Sequence, residues 1–359
     1  MLKIKSKYEQ IYDFLIEEIE KRNIGDLLPC ETAVADKLAV NRMTVSKVMS
    51  ALKTQGYIIR KQGRGSEIVK KRHSTAKGII AVLPIAENKI HDNYFSTLID
   101  VIIKKCISGG YINTFTGCPE PGSDASFDYN ILNSLASKAN YLGALVLDPK
   151  IKHVKEWEKY FQYKNFPVVW VAMEPQGGNG MSFVDIDNRT AALKLMEILY
   201  ARGCRKIAFI TSSLNTYHEL TRFSAYKEAL EQLGLGLDQN YIFTEDSGTG
   251  LQRGYDTAQK LLQMPDPPDG FFVTGLSIIH GIRNFAKEQQ IPKFFTEPVV
   301  TFDYVWEEAD DNVIATAKQP VRQMAETAFD LVMDLASGRQ REPVGITLKA
   351  DIKQKDNSA

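Results

Sequence analysis

Residues 31–68 have the sequence ETAVADKLAVNRMTVSKVMSALKTQGYIIRKQGRGSEI, and this stretch decides the fold of the N-terminal part. Its apolar residues recur at helical spacing in two runs that flank the turn "AVN". The members of the two runs are Val34, Ala35, Leu38, Val45, Val48, Met49 and Leu52. The second run predicts a helix from about Asn41 to Gln55, with Asn41 as its N-cap. The segment that follows predicts a strand, a tight turn over Gln62–Gly65 and a second strand.

A further helix is predicted ahead of this stretch. Tyr8, Ile11, Leu15 and Ile19 recur every three or four residues and would form one apolar face. The segment "GDLLP" ends that helix, because glycine and proline both disfavour its continuation. Three helices followed by a strand pair indicate an α+β winged helix-turn-helix over residues 1–72.

The third helix of such a domain can enter the major groove of DNA, and the wing can reach the neighbouring minor groove. Lysine and arginine are concentrated here: residues 1–72 hold 15 of them against 9 acidic residues, although the whole chain is balanced at 44 each. This asymmetry indicates a polyanionic partner for the first segment only. The alternative is that these basic residues form only a solvated face. The predicted DNA-binding residues are Glu31, Thr32, Asn41, Arg42, Thr44, Ser46, Lys47, Gln62, Gly63, Arg64 and Gly65.

The segments "YEQIYDFLIEEI", "LPCETAVADKLAVNRMTVSKVMSALKTQGYI" and "GRGSEI" resemble the GntR family of bacterial repressors. The resemblance implies that Arg42 is the base-reading arginine, that Thr44 contacts the DNA backbone, and that Gly63 and Gly65 are the wing glycines. Cys30 stands where the family usually has serine, and Ser46 where it usually has arginine. The second departure puts the family's usual operator sequence in doubt, since Lys47 cannot reproduce the bidentate fork of arginine.

Residues 79–359, after a polar linker at 73–78, alternate apolar strand patterns with amphipathic helix patterns. "GIIAVLP" is a continuous apolar run, which is typical of a buried parallel strand. Further strand candidates are "YINTFT", "ALVLD", "PVVWVA", "KIAFIT", "YIFTE", "GFFVTG" and "VVTFD". This alternation predicts βαβ units with mainly parallel sheets. The length of the segment favours two Rossmann-like lobes.

The same segment resembles the sensor domain of the LacI/GalR family, which is similar to periplasmic sugar-binding proteins. The motifs that carry the resemblance are "FVDIDNRTAALKLMEILYARGCRKIAFIT", "RFSAYKEALEQLGL", "VVTFD" and "QPVRQMAETAFDLVMDLASGR". It implies two lobes joined by crossing strands, with a ligand held in the cleft between them. Gly275 and Leu276 stand where the family usually has Asn-Asp, so the commonest family ligands are not expected to fit unchanged.

The predicted ligand-binding residues are Tyr94, Phe95, Asp148, Arg222 and Asp303. The resemblance makes Arg222 the ligand-gripping arginine and Asp303 the ligand carboxylate, at the carboxyl edge where open α/β sheets bind ligands. Alternatively, these two pair with each other across the cleft, the two aromatic residues belong to the core, and Asp148 is a surface turn residue. Asp187 precedes a predicted helix and is interpreted as its N-cap.

Several function classes are disfavoured by the sequence. There is no GxGxxG after the first strand, no P-loop and no GxSxG motif, so we predict no enzyme and no cofactor. The four cysteines form no CxxC pair, and His218 and His280 lack a second ligand at metal spacing, so we predict no metal. With no signal-like segment and no apolar run near about 18 residues, we expect a cytoplasmic protein that does not contact membranes.

The order of the two parts resembles the AraR group of sugar-responsive repressors. It implies a homodimer on double-stranded operator DNA, in which a sugar or sugar derivative closes the cleft and weakens DNA binding. The alternative is a cytosolic sugar-binding module without a DNA-binding role. Whether the effector induces or corepresses stays open at this point.

Overall fold

The computed structural model describes residues 6–61, 65–69, 78–83, 93–115, 141–147, 151, 154, 158–159, 166–174, 180–244, 248–303 and 312–355. The chain divides into two compact units, Met1–Gly78 and Ile79–Ala359. The predicted linker at 73–78 lies outside the described residues, except for Gly78. In the part of the chain that the structure describes, no helix is long and apolar enough to cross a bilayer.

In the described part of the first unit, three helices precede an antiparallel hairpin. The elements are α1 Lys7–Lys21, α2 Glu31–Leu38, α3 Arg42–Thr54, β1 Ile58–Lys61 and β2 Gly65–Ile68. A capping box starts α1, because Ser6 and Glu9 each bind the other's backbone amide. Asn41 caps α3 as predicted, and its Oδ1 accepts a hydrogen bond from the Met43 amide at 2.8 Å. The predicted order of elements is confirmed.

The core of the first unit is built from the predicted helical faces. The buried side chains include Ile11, Leu15, Ile19, Val34, Ala35, Val45, Val48, Met49, Leu52, Ile58 and Ile68. The prediction that Tyr8 extends the apolar face of α1 is wrong, because Tyr8 is 41% exposed. It lies in the first turn of α1, beside a surface groove that it shares with Tyr12 and Gln55.

The wing differs from the prediction in two details. The hairpin pairs Lys61 with Gly65, so Gly65 begins β2 rather than ending the turn. Its φ of +97° lies in the region that favours glycine. Leu27, in the segment predicted only to break the first helix, makes an antiparallel bridge to Glu67. This bridge ties the connection between α1 and α2 to the wing.

The second unit contains two six-stranded sheets among its described residues. The strands are β3 Ile79–Leu83, β4 Ile112–Phe115, β5 Tyr141–Leu147, β6 Val168–Val171, β7 Ser182–Ile186, β8 Ile207–Ile210, β9 Ile242–Phe243, β10 Gly270–Val273, β11 Val299–Phe302, β12 Val313–Lys318, β13 Gly345–Leu348 and β14 Asp351–Gln354. The first-lobe sheet has the order β13-β7-β6-β5-β3-β4, and the second-lobe sheet has the order β14-β12-β11-β10-β8-β9. Neighbours are parallel, except that β14 runs antiparallel to β12.

Helices cover both sheets, and the chain passes between the lobes three times. The helices are α4 Asn93–Gly109, α5 Asn188–Ala201, α6 Tyr217–Gln232, α7 Gly250–Leu262, α8 Leu276–Glu288 and α9 Val321–Ala336. α9 packs on α4 and the first-lobe sheet, whereas α5 packs on α6 and the second-lobe sheet. The crossings therefore lie between β7 and α5, between β12 and α9, and between β13 and β14. The predicted two lobes joined by crossing strands are confirmed.

Candidate DNA-binding and effector sites

The N-terminal turns of α3 carry the predicted major-groove side chains of the first unit. Arg42 and Lys47 are exposed, and Thr44 and Ser46 are half-buried. Because Asn41 caps the helix, Arg42 occupies its first position, and its side chain is 70% exposed. Backbone amides at a helix start and projecting arginine or lysine side chains are the groups that bind phosphates and base edges.

Glu31 at the start of α2 lies between two arginines. Its Oε1 accepts a hydrogen bond from Nη2 of Arg60 at 2.8 Å, and its Oε2 lies 3.6 Å from Nε of Arg42. Glu31 therefore links α2 with the start of α3 and with β1, and its contact with DNA stays a prediction. Arg60, on the wing strand, was missed by the sequence prediction, although its place in a basic segment is a signal that could have found it. Thr32 is exposed.

Of the predicted DNA-binding residues in the wing, the structure describes only Gly65. Lys61 pairs with Glu67 across the hairpin, so both charges are engaged within the two strands of the wing. Gln62, Gly63 and Arg64 lie outside the described residues. Their predicted contact with the minor groove stays a prediction.

Arg222 lies in the second turn of α6 and is only 4% exposed. Its Nε donates a hydrogen bond to Oδ1 of Asn188 at 2.9 Å, at the first crossing between the lobes. The guanidinium carbon lies 3.6 Å from the centroid of the Phe302 ring, at the end of β11. The predicted alternative of an Arg222–Asp303 pair is not the arrangement observed. Phe302 instead covers one face of Arg222, and Nη1 of Arg222 lies 3.6 Å from Oε1 of Glu219.

Glu219, in the first turn of α6, is the centre of a buried hydrogen-bond chain. Thr274, after β10, donates from Oγ1 to Oγ1 of Thr211 at 2.9 Å, and Thr211, after β8, donates to Oε2 of Glu219 at 2.7 Å. Burial raises the pKa of Glu219, but the hydrogen bond from His218 and the charge of Arg222 outweigh it, so the pKa is lowered overall. Glu219 is therefore a buried carboxylate held in its ionised form.

Asp185 ends this polar cluster on the first-lobe side. Its Oδ1 accepts hydrogen bonds from the Ile186 amide at 2.7 Å and from Nδ2 of Asn188 at 3.3 Å. Burial raises its pKa to about 6, although the Ile186 hydrogen bond and the nearby charges of His218 and Arg222 oppose the shift. Asp187, by contrast, caps α5 as predicted, and its Oδ1 accepts the Thr190 amide at 2.9 Å.

Asp303 holds the second crossing. Its φ is +55°, and its Oδ1 accepts a hydrogen bond from the Gln319 amide at 2.7 Å. Its Oδ2 accepts a second hydrogen bond from the Gln319 side chain. A non-glycine residue in the left-handed region costs about 1 kcal/mol or more and persists where the surroundings hold it, often at ligand sites. Its contact with a ligand stays a prediction.

The remaining predicted ligand residues are placed differently from one another. Phe95 is buried in the core, whereas Tyr94 is half-buried, and their rings meet edge to face at 5.1 Å. The Tyr94 hydroxyl points to Sδ of Met324 at 3.9 Å, on α9. Asp148 lies outside the described residues. The core alternative therefore fits Phe95 better than Tyr94.

The departures at Gly275 and Leu276 fall beside the polar cluster. α8 begins there, and its N-cap is Gly275, which has no side chain to accept a hydrogen bond from the first turn. The preceding residue is Thr274, whose hydroxyl starts the chain to Glu219. His280 is exposed, and among the described residues no group of His, Cys, Asp or Glu side chains could hold a metal ion.

Comparison with known families finds one matching family model in each unit. Residues 7–68 match the family model of bacterial regulatory proteins of the gntR family. Residues 196–356 match the model of the periplasmic binding protein-like domain. The chain joins a GntR-type DNA-binding domain to a periplasmic-binding-protein-like domain. The predicted GntR-type and periplasmic-binding-protein-like domains are confirmed.

Relatives of known role resemble most of the chain. It is 25% identical over 301 residues to the HTH-type transcriptional repressor CytR of Escherichia coli (strain K12). The matched region covers 84% of this chain and 83% of CytR. It is 23% identical over 343 residues to the HTH-type transcriptional repressor PurR of Escherichia coli O139:H28, which covers 92% of this chain and 93% of PurR. Both relatives are transcriptional repressors.

Solved structures show the same fold. A LacI transcriptional regulator from Bacillus cereus subsp. cytotoxis NVH 391-98 superposes with a TM-score of 0.68 at 19% identity, covering 79% of this chain and 99% of that structure. The transcriptional regulator CelR–cellobiose complex superposes with a TM-score of 0.64 at 19% identity, covering 91% and 98%. The predicted fold class, a winged helix-turn-helix with a two-lobed α/β domain, is confirmed.

Proposed function

We propose that this protein is a cytoplasmic transcriptional repressor of carbohydrate-utilisation genes. Its first unit binds operator DNA, and a sugar or sugar-derived effector bound in its second unit releases it. The observation that carries the proposal is the presence, in one chain, of an exposed basic start of α3 and a buried polar cluster at the lobe crossings. The named relatives, which are repressors, support the regulatory role.

DNA recognition is assigned to Arg42 and Lys47, which project from α3. An arginine that reads a guanine contributes roughly 1–3 kcal/mol, about 10- to 100-fold in affinity. Removing a lysine that contacts phosphate weakens binding to all sequences alike. It also reduces the slope of log affinity against log salt concentration by about one. A homodimer would place two α3 helices on half-sites one helical turn, or a multiple of it, apart.

DNA binding is tested by fluorescence anisotropy with duplexes from the intergenic region upstream of the gene. We expect specific binding, lost about 10- to 100-fold in Arg42→Ala. The matched control is Lys53→Ala, which removes an exposed charge from the last turn of the same helix. Equal affinity for the upstream duplex and a scrambled duplex would favour the second candidate, a sugar-binding module without a DNA-binding role. Sedimentation of the protein–DNA complex would report the stoichiometry.

Effector control is tested by calorimetry of sugar binding with and without operator DNA. Linkage requires that operator DNA lower the affinity for a releasing sugar by the factor by which that sugar lowers the affinity for DNA. Arg222→Ala should abolish sugar binding and leave DNA binding intact, because Arg222 belongs to the second unit. Identical sugar affinities with and without operator would contradict the proposed switch.

A further inference from the structure

The charge of the proposed effector site is dominated by carboxylates among its described residues. Asp185 and Glu219 are 2% and 5% exposed, and Asp303 is half-buried at the end of β11. The cations among them are the buried Arg222 and, when it is protonated, His218, whose Nε2 lies 3.6 Å from Oε1 of Glu219, so the three carboxylates still outnumber the cations. A ligand that enters here meets a surplus of fixed negative charge in a low-dielectric environment, where charge interactions are strongest.

Arg222 does not offset that surplus for a ligand. Its Nε is bound to Asn188, one of its faces is covered by Phe302, and its Nη1 lies beside Glu219. An arginine that grips an anion presents two parallel N–H groups to it. Here an anionic ligand would share the guanidinium with a carboxylate 3.6 Å away.

Glu219 cannot turn away at little cost. Its second oxygen accepts the Thr211 hydroxyl at 2.7 Å, and Thr274 holds Thr211 in turn. Moving the carboxylate would break this chain and leave buried hydroxyls without their partners, which costs free energy. The negative charge beside Arg222 is therefore a fixed property of the site.

We infer that the effector is a hydroxyl-rich compound that carries no anionic group, and that Glu219 is the residue that sets this specificity. The inference rests on the proposed function. Hydroxyl groups donate hydrogen bonds to carboxylates, so neutral sugars suit the site. An added carboxylate or phosphate faces the charge of Glu219 at close range. At an effective dielectric constant of about 20, such a repulsion weakens binding about tenfold or more.

The test compares matched sugars on one scaffold by calorimetry at pH 7.5 and fixed ionic strength. The probes are galactose, galacturonate and galactosamine, the corresponding glucose series, and arabinose with arabinose 5-phosphate. We expect that, on every scaffold that binds, the anionic member binds about tenfold or more weakly than the neutral one. The amino sugar should bind at least as tightly as the neutral sugar.

Glu219→Gln removes the charge and keeps an oxygen that can accept the Thr211 hydroxyl. We expect this substitution to reduce the ratio of the affinity for the neutral sugar to the affinity for the anionic sugar about tenfold. The matched control, Glu231→Gln, removes an exposed charge from the same helix and should leave the ratio unchanged. A ratio that is the same in Glu219→Gln and wild type would overturn the role of Glu219. If Glu219→Gln does not fold, the wild-type ratios decide.

The two proposals fail in different ways. An anionic sugar that binds the wild-type protein as tightly as its neutral partner, and releases operator DNA, overturns this inference and leaves the proposed function intact. If no sugar of any series binds or releases operator DNA, the proposed function fails, and the inference fails with it.

Discussion

Replacing Asp185 by asparagine should stabilise the second unit at neutral pH. The carboxyl group is 2% exposed and is fixed between the Ile186 amide and the Asn188 side chain. Its burial raises the pKa from 3.8 to about 6. The folded protein therefore binds this proton more tightly than the unfolded chain does. The stability that protonated Asp185 contributes is fully present below pH 3.8 and is lost as the pH rises through about 6.

The size of the effect follows from the shift. A difference of roughly two pKa units at 1.36 kcal/mol per unit gives about 3 kcal/mol. An asparagine does not titrate, so the variant should exceed the wild type in free energy of unfolding by about 3 kcal/mol at pH 7.5. The same linkage reduces the advantage to roughly half at pH 5 and to near zero below pH 4.

The assay is urea unfolding followed by tryptophan fluorescence at pH 7.5, 6 and 5. All three tryptophans of the chain lie in the second unit, so the signal reports on that unit alone. Asp187→Asn is the control, because it removes the same charge two residues away and asparagine caps helices as well as aspartate does. If the gain in free energy of unfolding of Asp185→Asn over the wild type does not change with pH, then the raised pKa of the buried Asp185 carboxyl is not its cause.

Two further predictions concern packing and DNA specificity. A Cβ at Gly281 on α8 would lie 2.1 Å from the Leu251 carbonyl oxygen of α7. Gly281→Ala should therefore lower the free energy of unfolding by about 2–3 kcal/mol in the same urea assay. Gly236→Ala is the control and should have little effect, because no atom lies within 4 Å of the added Cβ. Glu31→Gln should strengthen binding to random duplexes about two- to tenfold, because the carboxylate that offsets Arg42 is removed, and should reduce discrimination of the operator in anisotropy titrations. Unchanged affinity for random DNA would contradict that role of Glu31.

The elements with strong local signals were predictable from the sequence. The helix predicted at Asn41–Gln55 is observed at Arg42–Thr54, with both predicted end residues as caps. The continuous apolar runs became central parallel strands. β7, β12, β13 and β14 were not predicted as strands. The residues of β13 and β14 are all exposed or half-buried, and these two form strands only by pairing with β7 and β12.

The site was predictable only in part, because its contacts join residues far apart in the sequence. Arg222 was predicted from its resemblance to a family motif, but its partner Asn188 lies 34 residues away, and nothing local links the two. Thr211 and Thr274 are 63 residues apart and meet only because β8 and β10 are neighbours. A lone glutamate such as Glu219 on an amphipathic helix gives no signal of burial.

The described polar contacts explain how an effector could change the shape of the second unit. Asn188 at the first crossing joins Asp185, at the end of a first-lobe strand, to Arg222 in the second lobe. Asp303 binds Gln319 at the second crossing. In the proposed switch, a ligand that forms hydrogen bonds with Arg222 or Asp303 would compete with these contacts and would favour a different angle between the lobes. Because a ligand shifts an equilibrium only by its difference in affinity between two states, these crossing contacts are where that difference would arise.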